Sequence, residues 1–461
     1  MATEEIKKEN QAQGLELQER QRIDNPAELL QKSINGSLSQ LGGFQMLKGF
    51  IKGVENMDPK RKAAQNIFLT DEVYKEDRTK LKNELAMWIS ILEGGETQTS
   101  VLVESCEQQR SKAEQNLSKN LNKIHKEIQR LEVTYRTLDA FFTNASQGEV
   151  NCLTLMNVDK ENLKTNDSDD TLAVRKELKK YYDKLVLKQN YSLLVIPGYL
   201  GSADTVRMWA KTAYNNRVIM VTDFMDSLDY KTLQKKIQGA SLQGQEKELA
   251  QVVMTCNYLL GRKKSELAEE DDDVFIPGSG ALAGRMADTD SIVISQGAAG
   301  MKYGTLSNVK GARMELSKEE FSALIDLGVV PMVEEDGRTM AFSNRSLYNG
   351  GVIGLQEYPI VRVFDWIGKV FQNFFNEQAF TNWNPAVRDD LKQAVRYFLS
   401  DYKGPGKLIE NYDVKKIDQN PISKDIEIEV ELKPFHAAKD FFITLKGHER
   451  SGVADWDQDV K

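Results

Sequence analysis

A chain of 461 residues, 40% hydrophobic and 28% charged, is too long for one ordinary core and reads as a globular protein of two or three domains. Its 61 basic residues against 69 acidic ones leave a net charge of -8, which argues against bulk nucleic-acid binding. No apolar run approaches the roughly 18 to 20 residues that cross a bilayer, and Met1 to Asn10 lacks the apolar centre of a secretory signal, so a cytoplasmic location is expected. Cys106, Cys152 and Cys256 fit neither a disulfide framework nor a zinc spacing. With only His125, His436 and His448 beside them, neither a metal site nor a nucleophilic triad is expected.

Residues 1 to about 25 are polar and read as a flexible arm. From Leu29 to Val54 the apolar residues keep helical spacing despite Gly36, Gly42, Gly43, Gly49 and Gly53, which describes either a segment that orders by docking or a loose helix pair. A helix is predicted over Asp71 to Glu93, and a long one over Val101 to Leu138. In the long helix Leu117, Leu121, Ile124, Ile128, Leu131 and Leu138 follow a near-heptad spacing. The seam is short, so packing within the chain is preferred to a coiled-coil dimer. The middle alternates strand and helix: strands over Val150 to Val158, Tyr191 to Ile196 and Arg217 to Phe224, helices over Thr171 to Gln189, Ala203 to Tyr214, Tyr230 to Gln238 and Gln245 to Leu260. That rhythm implies a layered α/β region. The acidic stretch Glu266 to Asp273 reads as a solvated loop or boundary.

Two glycine turns have the look of ligand loops. Pro197 to Ser202 lies between a strand and a helix but lacks the Gly-Lys-Ser/Thr that would hold phosphate and metal. Gly278, Gly280 and Gly284 are spaced one residue too long for a dinucleotide fingerprint and lack its downstream acid, so close backbone packing is the better account and no cofactor is expected.

Near the C-terminal end, Phe364, Ile367, Phe371, Phe374 and Phe375 give Val361 to Asn376 an aromatic helical face. A second helix starts at Asn384-Pro385 and runs to about Lys403, stopped by Gly404-Pro405-Gly406. It carries Arg388, Lys392 and Arg396 in a row spaced by four, which describes either a solvated face or a contact for an acidic partner. After a polar connector, Ile426, Ile428, Val430 and Leu432 alternate with Glu427, Glu429 and Glu431 as a strand. The glutamates suit edge protection, and the pattern equally suits strand exchange between subunits. Phe441 to Leu445 is a second apolar run placed to pair with the first.

The order Arg362-Val-Phe-Asp-Trp-Ile, Trp383-Asn-Pro-Ala-Val-Arg-Asp-Asp-Leu, Gly-Pro-Gly, then Ile426-Glu-Ile-Glu-Val-Glu-Leu-Lys-Pro-Phe-His resembles the C-terminal domain of contractile tail-sheath proteins. Leu131-Glu-Val-Thr-Tyr-Arg-Thr-Leu, followed by the Val150 to Leu163 stretch, resembles the large TssC-type sheath subunit of type VI secretion systems, with Tyr135 and Thr137 where that family usually has Trp and Gly. A divergent branch is implied. Ile276-Pro-Gly-Ser-Gly-Ala-Leu-Ala-Gly-Arg-Met-Ala-Asp and Asn344-Arg-Ser-Leu extend the resemblance.

The resemblance implies an α+β or layered α/β subunit: an arm with docking helices over 1–57, a helical region over 58–148, an α/β region over 149–273, a sheath core over 274–360, a C-terminal sheath domain of two helices and a small strand-exchanging sheet over 361–446, and a tail over 447–461. It implies a structural, non-enzymatic role in a sheath that contracts around an inner tube. The implied partners are a TssB-type small subunit, further copies of this chain, an Hcp-type tube, a baseplate and a ClpV-type ATPase gripping Gly14 to Leu38. It favours strand exchange at Ile426, Ile428, Val430 and Leu432, and tube contact at Arg388, Lys392 and Arg396. A phage-tail or extracellular-particle sheath, and a cytoplasmic nucleotide-binding enzyme using the two glycine turns, are the competing readings.

Overall fold

The computed structural model describes residues 67–93, 99–145, 150–184, 187–266, 270–420, 422–438, 443–448 and 454–460. The expected arm, the docking segment and the Gly14 to Leu38 grip lie outside them. The chain divides into a unit over Met1–Asn120 and a larger one over Leu121–Lys461. The first contains α1 (Lys75–Glu93) and the start of α2 (Thr99–Asn144).

In the larger unit, α3 (Asp169–Tyr182) precedes a β/α alternation: β1 (Leu193–Ile196), α4 (Ala203–Asn215), β2 (Ile219–Asp223), α5 (Tyr230–Ala240) and β3 (Val252–Cys256). The sequence starts these helices with capping side chains: Ser202 accepts from Thr205 N and Asp229 from Thr232 N. A short antiparallel pair, β4 (Leu259–Arg262) and β5 (Val274–Ile276), leads into α6 (Ser279–Ala287). Then come α7 (Gly300–Tyr303), α8 (Lys318–Asp326), β6 (Val330–Glu335) and β7 (Arg338–Ala341). The main sheet has the order β1-β2-β3-β6-β7, parallel except for the β6–β7 hairpin. That hairpin turns at Asp336-Gly337, both at positive φ (51° and 68°), as a two-residue turn of this twist requires. Every residue of β2 and β3 is buried, which accounts for their unbroken apolar runs.

Gly280 and Gly284 sit where α6 meets α2. A Cβ on Gly280 would lie 2.5 Å from the carbonyl oxygen of Thr137, and one on Gly284 would overlap that of Phe141. Residues spaced by four on one helix thus admit the backbone of residues spaced by four on the other. The face of α2 used here carries Val133, Thr137, Ala140 and Phe141. The heptad seam is a different face: Leu117, Ile124, Ile128 and Leu131 are exposed.

Beyond β7, α9 (Tyr358–Glu377) buries Tyr358 and Val361 in the main core, then Val363 and Ile367 in a second one. That second core is completed by α10 (Pro385–Asp401), whose N-terminus Asn384 caps, and by the antiparallel pair β8 (Ile409–Gln419) and β9 (Ile426–Pro434). A separate hairpin joins β10 (Ile443–His448) to β11 (Ala454–Val460).

Four expectations are corrected. Gln245 to Leu260 is a 3₁₀ turn (Lys247–Gln251), then β3 and the start of β4, because a short fully buried apolar run satisfies helical and strand spacing alike. Among the described residues, Val150 to Val158 joins no sheet. The polar connector contains β8, whose alternation is hidden by a register shift between Val414 and Lys416. The run at Ile443 pairs with β11 and not with β9.

The glycine contacts make a paired test. Gly284→Ala should lower stability by about 1–3 kcal/mol through overpacking. Gly368→Ala, inside α9 with nothing within 4 Å of its added carbon, should raise it by about 0.5–1 kcal/mol. Chemical denaturation midpoints of the two variants would check the opposite signs.

Candidate assembly surfaces

The two glycine turns meet inside the protein. Asp223, at the end of β2 and fully buried, accepts from Gly198 N (2.7 Å) and Ser279 Oγ (2.5 Å) on one oxygen. Its other oxygen accepts from Ser279 N (2.8 Å) and Thr255 Oγ1. Burial pushes this carboxyl above the usual range, and the four donors pull it back. One amide of each turn, Gly198 N and Ser279 N, is thus taken by a carboxylate of the chain itself. These turns brace β1, β2, β3 and α6 against one another.

The acidic stretch is likewise held. Arg262 forms two-pronged contacts with Glu132 (2.6 and 2.9 Å) and Glu270 (2.6 and 2.8 Å), and Arg313 bonds Asp272 at 2.9 Å and Asp226 at 2.8 Å while lying 3.8 Å over the ring of Phe275. Glu270, 12% exposed, is therefore pinned, whereas Asp272 bonds Arg313 while remaining 57% exposed to solvent. Glu132 and Arg136, which carry the sheath-like motif, also pair at 2.9 Å. Arg262 holds the Glu270 carboxyl at about 2 and lowers that of Glu132.

Sequence reasoning missed the charged pair inside α9. Asp365 accepts from Gln251 Nε2 at 2.7 Å, and Lys369 Nζ donates to Tyr191 O at 2.7 Å. Arg217 stands 3.8 Å from Asp365. Burial pushes the Asp365 carboxyl up and the Lys369 amine down to about 8. In a helix read from its aromatics, Asp365 and Lys369 looked like part of the polar face.

The expected assembly residues lie on the second core. Ile428, Val430 and Leu432 pack against it, while Ile426, at the strand's open end, is 41% exposed. The glutamates between them face lysines of β8: Lys416 to Glu427 at 2.7 Å and Lys415 to Glu431 at 3.2 Å. β9 thus has one partner, β8, among the described residues. On α10, Arg388 contacts Asp389 at 3.1 Å, Lys392 is half-buried and Arg396 is exposed. Lys415, and to a lesser extent Arg396 and Lys392, lower the Asp413 carboxyl, which places the lower part of the basic row beside β8. Leu131 and Tyr135, each 69% exposed, continue a stripe of large exposed apolar residues along α2. Among the described residues no helix is long and apolar enough to cross a membrane.

A basic row on α10 and an apolar stripe on α2 thus lie at the surface of the described residues. Family models match it in order: the TssC/VipB-like N-terminal region over residues 31–121, the type VI secretion system TssC/VipB central domain over 123–349, and the TssC/VipB-like C-terminal domain over 357–461. It is a contractile-sheath subunit. The chain belongs to the TssC/VipB family. Similar solved structures include the contracted helical sheath of the anti-feeding prophage, at 15% identity over 68% of this chain and 81% of that one, with a TM-score of 0.49. A chain of the anti-feeding prophage baseplate is 14% identical over 68% and 80%, also at 0.49. The contracted sheath complex of the extracellular contractile injection system PVC is 14% identical over 52% and 68%, at 0.41. A comparison with curated proteins gives no match.

The Arg262 cluster predicts an acid transition. The folded carboxyl of Glu270 titrates near 2 against an ordinary value near 4.5, so its stabilisation is complete above about 4.5 and is lost as pH falls toward 2. Arg262→Met should cost roughly 2 kcal/mol at pH 7 by taking the guanidinium from Glu270 and leaving Glu132 with Arg136 alone, and should flatten the dependence of stability on pH between 4.5 and 2. Thermal melts across that range for both proteins would check it.

Proposed function

We propose that this chain is the large subunit of a type VI secretion sheath, which polymerises with a TssB-type small subunit and further copies of itself around an Hcp-type inner tube and contracts to drive the tube through a target envelope. The ordered match of three TssC/VipB models from residue 31 to residue 461 carries the reading. The role is mechanical and non-enzymatic, performed in the cytoplasm from a baseplate, with a ClpV-type ATPase recycling contracted sheath through the N-terminal segment around Gly14 to Leu38. Contraction sums a modest gain in burial over many repeated contacts of one kind, as head-to-tail interfaces in a helical assembly permit.

Two surfaces serve this role. Arg388, Lys392 and Arg396 meet an acidic face of the tube, supported by the exposure of Arg396 and the partial exposure of Arg388 on α10. Ile426, Ile428, Val430 and Leu432 hold β9 in place while its second edge takes a strand from a neighbouring subunit. The β8–β9 pair, anchored on its own core, supplies the platform for that addition. The exposed stripe on α2 is the kind of apolar surface that an assembly covers.

Coexpression with the genomic neighbours, followed by negative-stain microscopy of a high-speed pellet, should reveal hollow tubes with cogwheel ends. Discrete monomers despite coexpressed candidates would overturn the sheath reading. Charge reversal at Arg388 and Arg396 should reduce tube-filled sheaths at least tenfold while leaving the melting temperature unchanged; unaltered assembly around the tube would remove these residues from the contact.

A further inference from the structure

Arg362, on the second turn of α9, is half-buried and has a single acceptor: its Nη2 donates to Met286 O in the last turn of α6, at 2.9 Å. Its Nε and Nη1 have no partner among the described residues, yet neither is sealed from solvent. Burial pulls the guanidinium below the ordinary arginine value; only the Tyr358 hydroxyl acts the other way, and no carboxylate does. The other enclosed arginines differ. Arg262, Arg285 and Arg313, with side chains 20%, 20% and 13% exposed, each hold at least one carboxylate. The acids flanking Arg362 are committed elsewhere: Asp288 to Arg285, Asp365 to Gln251, and Glu357 to His436 and Asn344.

A guanidinium carries five N–H donors in a planar fork that fits a carboxylate with two parallel bonds, and one neutral carbonyl leaves most of that capacity unused. Taking a charge out of water without a counter-ion costs stability, whereas a neutral donor would satisfy Met286 O without that cost. Thr289, Asp290 and Ser291, which follow the end of α6, are exposed, so this corner of α6 and α9 lies at the surface of the described residues. The chain thus keeps a costly cation where a second molecule can reach it and supplies no anion of its own.

We infer that Arg362 is an anchor for a carboxylate side chain of a neighbouring subunit, bound by the donors that Met286 leaves free and completed only on assembly. The neighbour as source rests on the sheath function; the affinity of the guanidinium for a carboxylate does not. A desolvated charge that is paired only in the lattice penalises the free chain and favours the assembled one, so it widens the difference between the two states.

The free full-length chain and its assembly are tested separately. In the purified chain, Arg362→Met removes a charge that nothing balances and should raise the melting temperature by about 1–3 °C. A melting temperature that is not raised would make the residue a structural cap of α6 and overturn the inference. Sodium acetate in place of sodium chloride at equal ionic strength should raise the melting temperature of the wild-type chain more than that of Arg362→Met; an equal response would remove the carboxylate site. After coexpression with the genomic neighbours, Arg362→Met should cut pelletable sheath at least tenfold, and Arg362→Lys, which keeps the charge without the fork, should lose less. Full assembly by a folded Arg362→Met chain would overturn the neighbour as the source of the carboxylate. If the wild-type chain itself forms no sheath, the sheath function fails and takes the neighbour with it, while the acetate response still decides the carboxylate site.

Discussion

The buried carboxylate of Asp223 is the interaction on which the larger unit depends. A parallel sheet ends at one side in a row of loops, and their backbone donors require partners once they are enclosed. Here one side chain, fully buried at the end of β2, gathers the amide of Gly198 after β1, the hydroxyl of Thr255 on β3, and the amide and hydroxyl of Ser279 at the start of α6. With two donors on each oxygen, the cost of burying the carboxylate is offset by charge-assisted hydrogen bonds. The same geometry fixes α6, and α6 in turn presents Gly280 and Gly284 to α2. Sheet, loop and long helix are thus set by one residue whose importance its sequence neighbours do not announce.

A second constraint operates where the two cores share a helix. Twenty residues of α9 extend about 30 Å, so the helix reaches from the main core into the C-terminal one without a break. Within it, Asp365 and Lys369 are bonded to Gln251 and Tyr191, both on the main-core side. A rotation or slide of α9 would strand a buried charge on each of these contacts, which costs far more than shifting one apolar residue past another. The pair therefore specifies the orientation of the helix, where the aromatic face alone would allow several.

Local chemistry of helices and turns was legible in the sequence. Asn384-Pro385 starts α10 where the pattern placed it, and Asp336-Gly337 forms the hairpin turn that its composition suggests. Elements whose identity is decided by distant partners were not legible. Val252 to Cys256 is a strand because it lies between β2 and β6, a fact absent from its own periodicity. β8 was concealed by its bulge, and with it the lysines that answer the glutamates of β9. Acidity alone made 266–273 look solvated, whereas Arg262 and Arg313, supplied by other parts of the chain, hold Glu270 and Asp272 in place. At the expected assembly residues, spacing correctly put Ile428, Val430 and Leu432 on one face, but the surface that faces a neighbour is a property of two molecules.

These constraints bear on how a contractile lattice uses the chain. Work done during contraction must pass between subunits and cannot be dissipated by rearrangement inside them. The braces at Asp223 and Arg262 lie within the main core and its rim, and the Asp365–Lys369 pair ties the C-terminal core to it. Each resists internal shear because an interior packed to crystalline density, with its buried charged groups hydrogen-bonded, has discrete arrangements and no soft path between them. β9, on the margin of the C-terminal core, carries a second edge without a partner among the described residues. A body braced in this way passes load to its neighbours through its surface contacts and loses little of it to internal rearrangement.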